Sequence, residues 1–194
     1  MSQTENLDFV HLHVHSEYSL VDGIIRVNEL VDHTLKLGYH SIALTDLTNL
    51  FGLIEFYRSA RQQGIKPIVG SEVYVAKDKD SVAAPLVLLA QNKQGYINLT
   101  KLVSRAYVDG QVNGDPVVLF SWLEEFSEGI IALSGGLDGH IGNSVLAGNH
   151  QLSESRIDFF QNIFGDNFFI EIQRTGKANE KEYNDSVLKL ASKK

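Results

Sequence analysis

Hydrophobic positions follow two alternating patterns along the chain. Short apolar runs at 9–14 and 65–76 indicate buried strands. The segment 27–38 instead has helical spacing, and Gly38 is placed to end that helix. Its apolar positions are Val27, Leu30, Val31 and Leu35. The start of the chain therefore predicts one strand followed by one helix.

The same alternation continues to the end of the sequence. Besides the strand at 65–76, strands are predicted at 41–46, 85–92, 129–136 and 167–173. Further helices are predicted at 50–64, 97–110, 153–165 and 182–194. This order indicates an α/β fold with largely parallel strands, either a barrel or an open doubly wound sheet, with its active site at the C-terminal ends of the strands. The loosest stretch is 109–116. A final helix normally leads to another strand, so we expect a longer parent protein.

Composition narrows the chemistry. The 194 residues are 43% hydrophobic and 21% charged, which is typical of one globular domain spanning 1–194. With no long apolar run and a polar start, the protein is expected to be cytoplasmic and not membrane bound. The absence of cysteine excludes disulfides and thiolate ligands, so any metal must use histidine and carboxylate donors. A net charge of −7 disfavours a broad DNA-binding surface, so other domains are expected to hold any DNA.

Candidate metal chemistry begins in HLHVHSEYSLVDG, residues 11–23. On a strand, His13 and His15 point to one face about 7 Å apart and can bind one ion. The alternative is a pair of hydrogen-bonded interior histidines. Asp22 adds an oxygen donor after the strand, which favours the metal-binding interpretation. His11 is expected to be an interior histidine whose ring nitrogens are hydrogen-bonded within the protein.

Two further carboxylates lie in or after predicted strands. Glu72 falls within an apolar strand, where a carboxylate is costly to bury without a cation, unless its side chain points outward. Asp46, in TDLTN, is expected to act behind a ligand as a second-shell residue or to cap the next helix, rather than to bind metal directly. The remaining histidines are expected to be solvated: His33, His40, His140 and His150.

The chain resembles the PHP domain that begins the alpha subunit of bacterial DNA polymerase III. The resemblance is carried, in order, by HLHVHSEYSLVDG, ALTDLTNLFGLIEFY, GIKPIVGSEVYV, LLAQNKQGYINLTKLVSRAY and GIIALSGG. It implies a distorted seven-stranded (β/α) barrel, here truncated before its last strands. It also implies a cluster of up to three metal ions at the C-terminal ends of those strands. Active members hydrolyse phosphoesters, and some act as 3′ to 5′ proofreading exonucleases.

The resemblance also implies which positions are metal ligands. Four of them carry donor side chains here: His13, His15, Asp22 and Glu72. Three others carry none: Leu47, Pro85 and Gly136. The family's last D-x-H motif would lie beyond Lys194. Since each ion of a multinuclear site needs about four to six donors, the retained set is expected to hold at most one Zn²⁺, Mn²⁺ or Mg²⁺ ion.

Three functions remain open after this comparison. The first is a non-catalytic scaffold of the polymerase that docks the separate epsilon proofreading subunit within the DNA polymerase III holoenzyme; RTG at 174–176 also resembles that group. The second is a working metal-dependent phosphoesterase or exonuclease. The third is a free-standing enzyme similar to histidinol phosphatase, which the long polymerase-like motifs disfavour.

Overall fold

A computed structural model of the protein describes residues 9 to 192, apart from the side chain of Val21. In this part of the chain the helices are α1 Val27–Lys36, α2 Leu53–Gln62, α3 Lys93–Asp109, α4 Phe120–Phe126, α5 His140–Leu146, α6 His150–Phe164 and α7 Glu180–Ala191. The strands are β1 Ser41–Leu44, β2 Lys66–Ala76, β3 Ala84–Ala90, β4 Gln111–Val112, β5 Asp115–Leu119, β6 Ile130–Leu133 and β7 Phe168–Phe169. No helix among residues 9–192 is both long enough and apolar enough to cross a membrane.

The strands form one mixed sheet in the order β4-β5-β2-β3-β6-β7, with β1 also paired to β2. The pairs β1–β2, β2–β5 and β6–β7 are parallel, whereas β3–β6 and β4–β5 are antiparallel. The α/β class is therefore confirmed. The predicted barrel is not, since the sheet formed by residues 9–192 does not close. One physical reason is that the strand predicted at 167–173 pairs only over Phe168–Phe169.

The first compact unit ends at Gly70, within β2. Helix α1 buries Val27, Leu30 and Val31 as predicted, but Leu35 is half exposed and Thr34 is buried in its place. Thr34 completes the i, i+3, i+4, i+7 spacing, and its hydroxyl donates to the Leu30 carbonyl at 2.8 Å. The buried core of this unit is formed by Val27, Leu30, Val31, Ile42, Leu44, Leu53, Phe56, Ala60 and Ile65.

The strand predicted at 9–14 does not form a regular ladder. The Ala43 amide donates to the His11 carbonyl, and the Thr45 amide donates to the Val14 carbonyl, both at 2.9 Å. Three residues on one side thus face two on the other, and the Val14 amide bonds the Thr45 hydroxyl instead of a backbone oxygen. The extra residue bends the chain at His13, as in a β-bulge.

The second unit, from Ser71 onwards, contains two features that the hydrophobic pattern did not predict. Helix α3 begins at Lys93, before the predicted 97, because the Asn92 side chain caps it by accepting from the Gly95 amide at 3.0 Å. The stretch at 109–116 is not loose. It forms the β4–β5 hairpin around Asn113 and Gly114, whose φ angles of 54° and 96° suit a two-residue turn.

Large side chains fill the core of this second unit. Its most deeply buried members come from strands β3 and β6 and from the helices α3, α4, α5, α6 and α7. They are Leu86, Leu88, Leu99, Leu102, Leu123, Ile130, Ile141, Phe160 and Tyr183. In the part of β2 that belongs to this unit, burial is continuous except at Tyr74 rather than alternating, as expected for a strand covered on both faces.

Candidate metal centre

The bend at His13 places two imidazole rings side by side. The ring centroids of His13 and His15 lie 5.3 Å apart, with an angle of 67° between the ring planes. One nitrogen of each ring lies within 4.8 Å of the other. Two nitrogens bound to one tetrahedral zinc ion lie about 3.4 Å apart, so the rings must turn towards one another to share an ion. The pair therefore has the chemistry and the spacing to hold a divalent cation.

Asp22 lies against the edge of one of these rings. It ends the 3-10 turn Glu17–Asp22, and its Oδ2 atom is 3.1 Å from Nδ1 of His15. The side chain of His15 is only 12% exposed, whereas that of Asp22 is 68% exposed. The carboxylate thus approaches the imidazole from the solvent side.

Asp46 is the buried anchor of the loop that follows the histidines. Its side chain is 1% exposed and accepts hydrogen bonds from the Ser16 amide at 2.6 Å, from the Ser16 hydroxyl and from the Ser19 hydroxyl at 2.7 Å. The Ser19 hydroxyl also accepts from the Leu47 amide at 3.0 Å. The expected alternative of a helix cap is wrong, because the residue at the N-terminal cap of α2 is Gly52. Asp46 therefore fixes the backbone immediately after His15.

The turn after Asp46 is strained and held by an asparagine. Thr48 has a φ of 54°, which is unfavourable for a β-branched residue. The Asn49 amide group donates to the carbonyls of Tyr18 and Leu47, both at 2.9 Å, and its oxygen accepts from the Phe51 amide. Sequence reasoning did not single out Asn49. Its position after a strand-ending T-D-L-T is the only feature that could have suggested a role.

Glu72 lies in the second unit, on the part of β2 that follows Ser71. Its side chain is buried, at 9% exposure, so the alternative of an outward-pointing carboxylate is wrong. Its neighbours Ser71 and Val73 are buried as well. A carboxylate in such surroundings is stable only with hydrogen-bond or charge partners.

The three positions without donors are built into the protein in other ways. The Leu47 amide is bonded to Ser19, and Pro85 forms part of β3. Gly136 has a φ of 60°, and a Cβ atom there would lie 3.0 to 3.2 Å from the side-chain amide of Gln173. That Gln173 amide donates to Oε1 of Glu171 at 2.7 Å. The space next to Gly136 is therefore occupied by a hydrogen-bonded side chain of the protein itself.

His140 is buried, contrary to the expectation that it is solvated. It is 8% exposed, and Nε2 lies 2.8 Å from the Val75 carbonyl oxygen. Burial lowers the pKa of His140; the bond to Val75 opposes this shift, and the nearby Arg156 charge adds to it. The Arg156 guanidinium also donates to the His140 carbonyl. His140 is therefore a structural hydrogen-bond donor at the start of α5.

His11 also differs from expectation. It is exposed rather than interior, and its ring packs edge-on against Phe9 at 4.8 Å and Tyr39 at 5.8 Å between centroids. The expectation of solvated side chains is confirmed for the remaining histidines, which are His33, His40 and His150.

Comparisons with known proteins identify the family of the chain. The PHP domain family model matches residues 11–175. Proteins named DNA polymerase III subunit alpha are 44% identical over 184 residues in Vibrio cholerae serotype O1 and 42% identical over 184 residues in Escherichia coli K12. The corresponding protein of Borreliella burgdorferi is 39% identical over 192 residues. These matches cover 94% of this chain in each case, but only 16%, 16% and 17% of the relatives.

A solved structure supports the fold alone. A protein from Bifidobacterium adolescentis, described as a metal-dependent phosphoesterase, superposes with a TM-score of 0.59 at 13% identity. The match covers 94% of this chain and 83% of that one. The chain belongs to the PHP domain family and is homologous to the N-terminal region of the DNA polymerase III alpha subunit.

Proposed function

We propose that this chain is the N-terminal PHP domain of a replicative DNA polymerase III alpha subunit and acts there as a scaffold without phosphoesterase activity. The chain matches only 16% of the length of the Vibrio cholerae relative, which fits one domain of a larger cytoplasmic replicase. The observation that carries the proposal is the loss of donor side chains at Leu47, Pro85 and Gly136. A multinuclear hydrolytic site cannot be assembled from the donors that remain.

The surroundings of Gly136 strengthen this proposal. A single lost ligand can in principle be replaced by water, which would leave a site partly active. Here the Gln173 amide takes the space beside Gly136, and its hydrogen bond to Glu171 holds it in place. The region thus contains packed protein where an additional ligand side chain would extend.

We further propose that one divalent ion, Zn²⁺, Mn²⁺ or Mg²⁺, binds the adjacent imidazoles of His13 and His15. Two imidazoles, with water or a further oxygen donor completing the coordination, suit a single ion of this kind. Asp46 supports the site from behind by fixing the backbone at Ser16. A bound cation would supply positive charge that cross-links these donors and stabilises the segment that carries them.

The scaffold is proposed to dock the epsilon proofreading subunit and other parts of the DNA polymerase III holoenzyme. A net charge of −7 supports a protein partner over direct DNA binding, since phosphate contacts require lysine and arginine. DNA is then held mainly by other domains of the parent chain.

The decisive experiment counts metal ions and measures activity on the same preparation. The chain is dialysed with chelator and titrated calorimetrically with Mn²⁺ or Zn²⁺, beside a His13→Ala/His15→Ala variant and a matched His33→Ala/His150→Ala control with exposed histidines. We expect at most one ion, lost only in the first variant, and no release of nucleotides from a 3′-labelled oligonucleotide. Co-elution with the proofreading subunit at low and at high salt tests docking, and failure to co-elute would refute that part.

A working phosphoesterase is the second candidate. It is favoured by the adjacent rings of His13 and His15 and, separately, by the buried carboxylate of Glu72, because imidazole and carboxylate are donor types that hydrolytic metal sites use. Two or more tightly bound ions together with metal-dependent hydrolysis would make it the better explanation.

A further inference from the structure

We infer that Asp22 is a positioning residue, which holds His15 in the tautomer that binds metal through Nε2, rather than a ligand of the ion itself. The inference rests on the proposed metal site. Asp22 thus orients the His15 imidazole instead of binding the ion directly, which is the role expected for it from the sequence.

The geometry around the His15 ring supports this assignment. Oδ2 of Asp22 lies 3.1 Å from Nδ1, and a carboxylate can only accept, so the proton must lie on Nδ1. The lone pair is then on Nε2, which is the deeply buried nitrogen of the ring. The two nitrogens lie at different edges of the imidazole. An ion bound to Nε2 is therefore much farther from Asp22 than the roughly 2.2 Å that carboxylate ligation requires.

The loop that carries Asp22 is closed on itself. The Glu17 amide donates to the Ile25 carbonyl at 2.9 Å, which joins the two ends of the loop. A Cβ atom at Gly23 would lie 1.8 Å from the Ser16 carbonyl oxygen, so the chain returns in direct contact with its own start. Asp22 lies between these two contacts, which hold its backbone next to His15.

Buried hydrogen bonds hold this loop from below. The hydroxyls of Ser16 and Ser19 both donate to Asp46, and the Asn49 side chain bonds the Tyr18 carbonyl. The carboxylate of Asp22 remains largely in water while it faces His15. This is the usual arrangement of a carboxylate that orients a ligating histidine.

The test is the tautomer of His15 in the metal-free 194-residue chain, measured by imidazole ¹⁵N chemical shifts above the pH at which histidines titrate. We expect an Nδ1–H signal in the wild type and in Asp22→Asn, whose amide oxygen can still accept. In Asp22→Ala the signal should shift towards Nε2–H, the form that predominates in a free side chain. His33, whose Nδ1 lies 2.8 Å from the Glu29 carbonyl, is an internal reference that should not change.

Metal binding supplies the second readout. We expect Asp22→Ala to lower the affinity for Zn²⁺ or Mn²⁺ about 10- to 100-fold at unchanged stoichiometry. Asp22→Asn should lower that affinity much less. The visible absorption of bound Co²⁺, which reports ligand number and type, should be the same in wild type and Asp22→Asn. Circular dichroism of each variant verifies that it is folded.

Two results would overturn the inference. One is an Nε2–H tautomer of His15 in the wild type, and the other is a Co²⁺ spectrum that changes in Asp22→Asn as expected for a lost ligand. Either result would leave the ion itself in place. If the wild type binds no ion, the proposed metal site fails instead, and the tautomer measurement separates this failure from a wrong role for Asp22.

Discussion

Replacing Asp46 by alanine should be among the most damaging single changes in the first unit. The substitution removes the acceptor of three buried donors, which are the Ser16 amide, the Ser16 hydroxyl and the Ser19 hydroxyl. Ser16 is 0% exposed and Ser19 is 4% exposed, so water reaches these donors only if the loop opens. Each buried donor left without a partner costs about 1 to 3 kcal/mol.

The expected loss lies near the low end of the summed range, because the loop can relieve part of the penalty by moving. We therefore expect the free energy of unfolding to fall by about 3 to 4 kcal/mol in Asp46→Ala. Asp46→Asn keeps one oxygen and should lose about half as much. Such changes are a large part of the roughly 5 to 15 kcal/mol that stabilises a typical domain.

Urea unfolding followed by circular dichroism measures the loss, and hydrogen exchange of the Ser16 amide shows where it arises. The matched control is Asp80→Ala, at an exposed aspartate, which should change the free energy of unfolding by less than about 0.5 kcal/mol. A loss below about 1 kcal/mol in Asp46→Ala, with unchanged exchange at Ser16, would refute the reasoning.

Three further predictions concern the second unit. Gly95→Ala should lower the free energy of unfolding by about 2 kcal/mol despite the better helix propensity of alanine, because its Cβ would lie 1.8 Å from the Gly129 carbonyl oxygen. An unchanged midpoint of urea unfolding would contradict this. Burial raises the pKa of Tyr183 to about 12, so its absorbance change at high pH should come last and be absent in Tyr183→Phe. Since the unfolded tyrosine ionises first, stability is complete below about pH 10 and falls by up to roughly 3 kcal/mol as the pH rises through 12. Burial lowers the pKa of His140, so stability should be complete above the usual value of 6.5 and decrease as the pH falls below it. Replacing His140 by glutamine should flatten that decrease, and the same change at exposed His150 should not.

The sequence predicted the parts of the fold that depend on long hydrophobic periods. Helices α1, α2, α3, α6 and α7 and strands β1, β2, β3 and β6 all lie within or close to their predicted segments. Errors arose where a single polar contact decides the structure. The Asn92 cap extends α3, the Asn113-Gly114 turn creates a hairpin, and Thr34 replaces Leu35 on the buried face of α1.

The candidate site was predicted in its residue types but not in its arrangement. Regular strand spacing suggested that His13 and His15 share a face, and the rings do lie together, although on a bent segment without a regular ladder. The burial of His140 and the exposure of His11 could not be predicted, because each depends on aromatic side chains that are distant in the sequence or contributed by another loop. Long-range packing, rather than local pattern, determines the state of an isolated histidine.

The two groups of candidate positions are held in place by different kinds of contact. Around His13 and His15, the buried Asp46 and a closed loop hold the donors in place through hydrogen bonds that require no ion. Around Gly136, the side-chain amide of Gln173 instead fills the space next to the backbone. A loop held by Asp46 remains ordered whether or not a cation binds, so the retained histidines need not indicate retained catalysis. Their surroundings are sufficient to stabilise the first unit, which is the property that a scaffold requires.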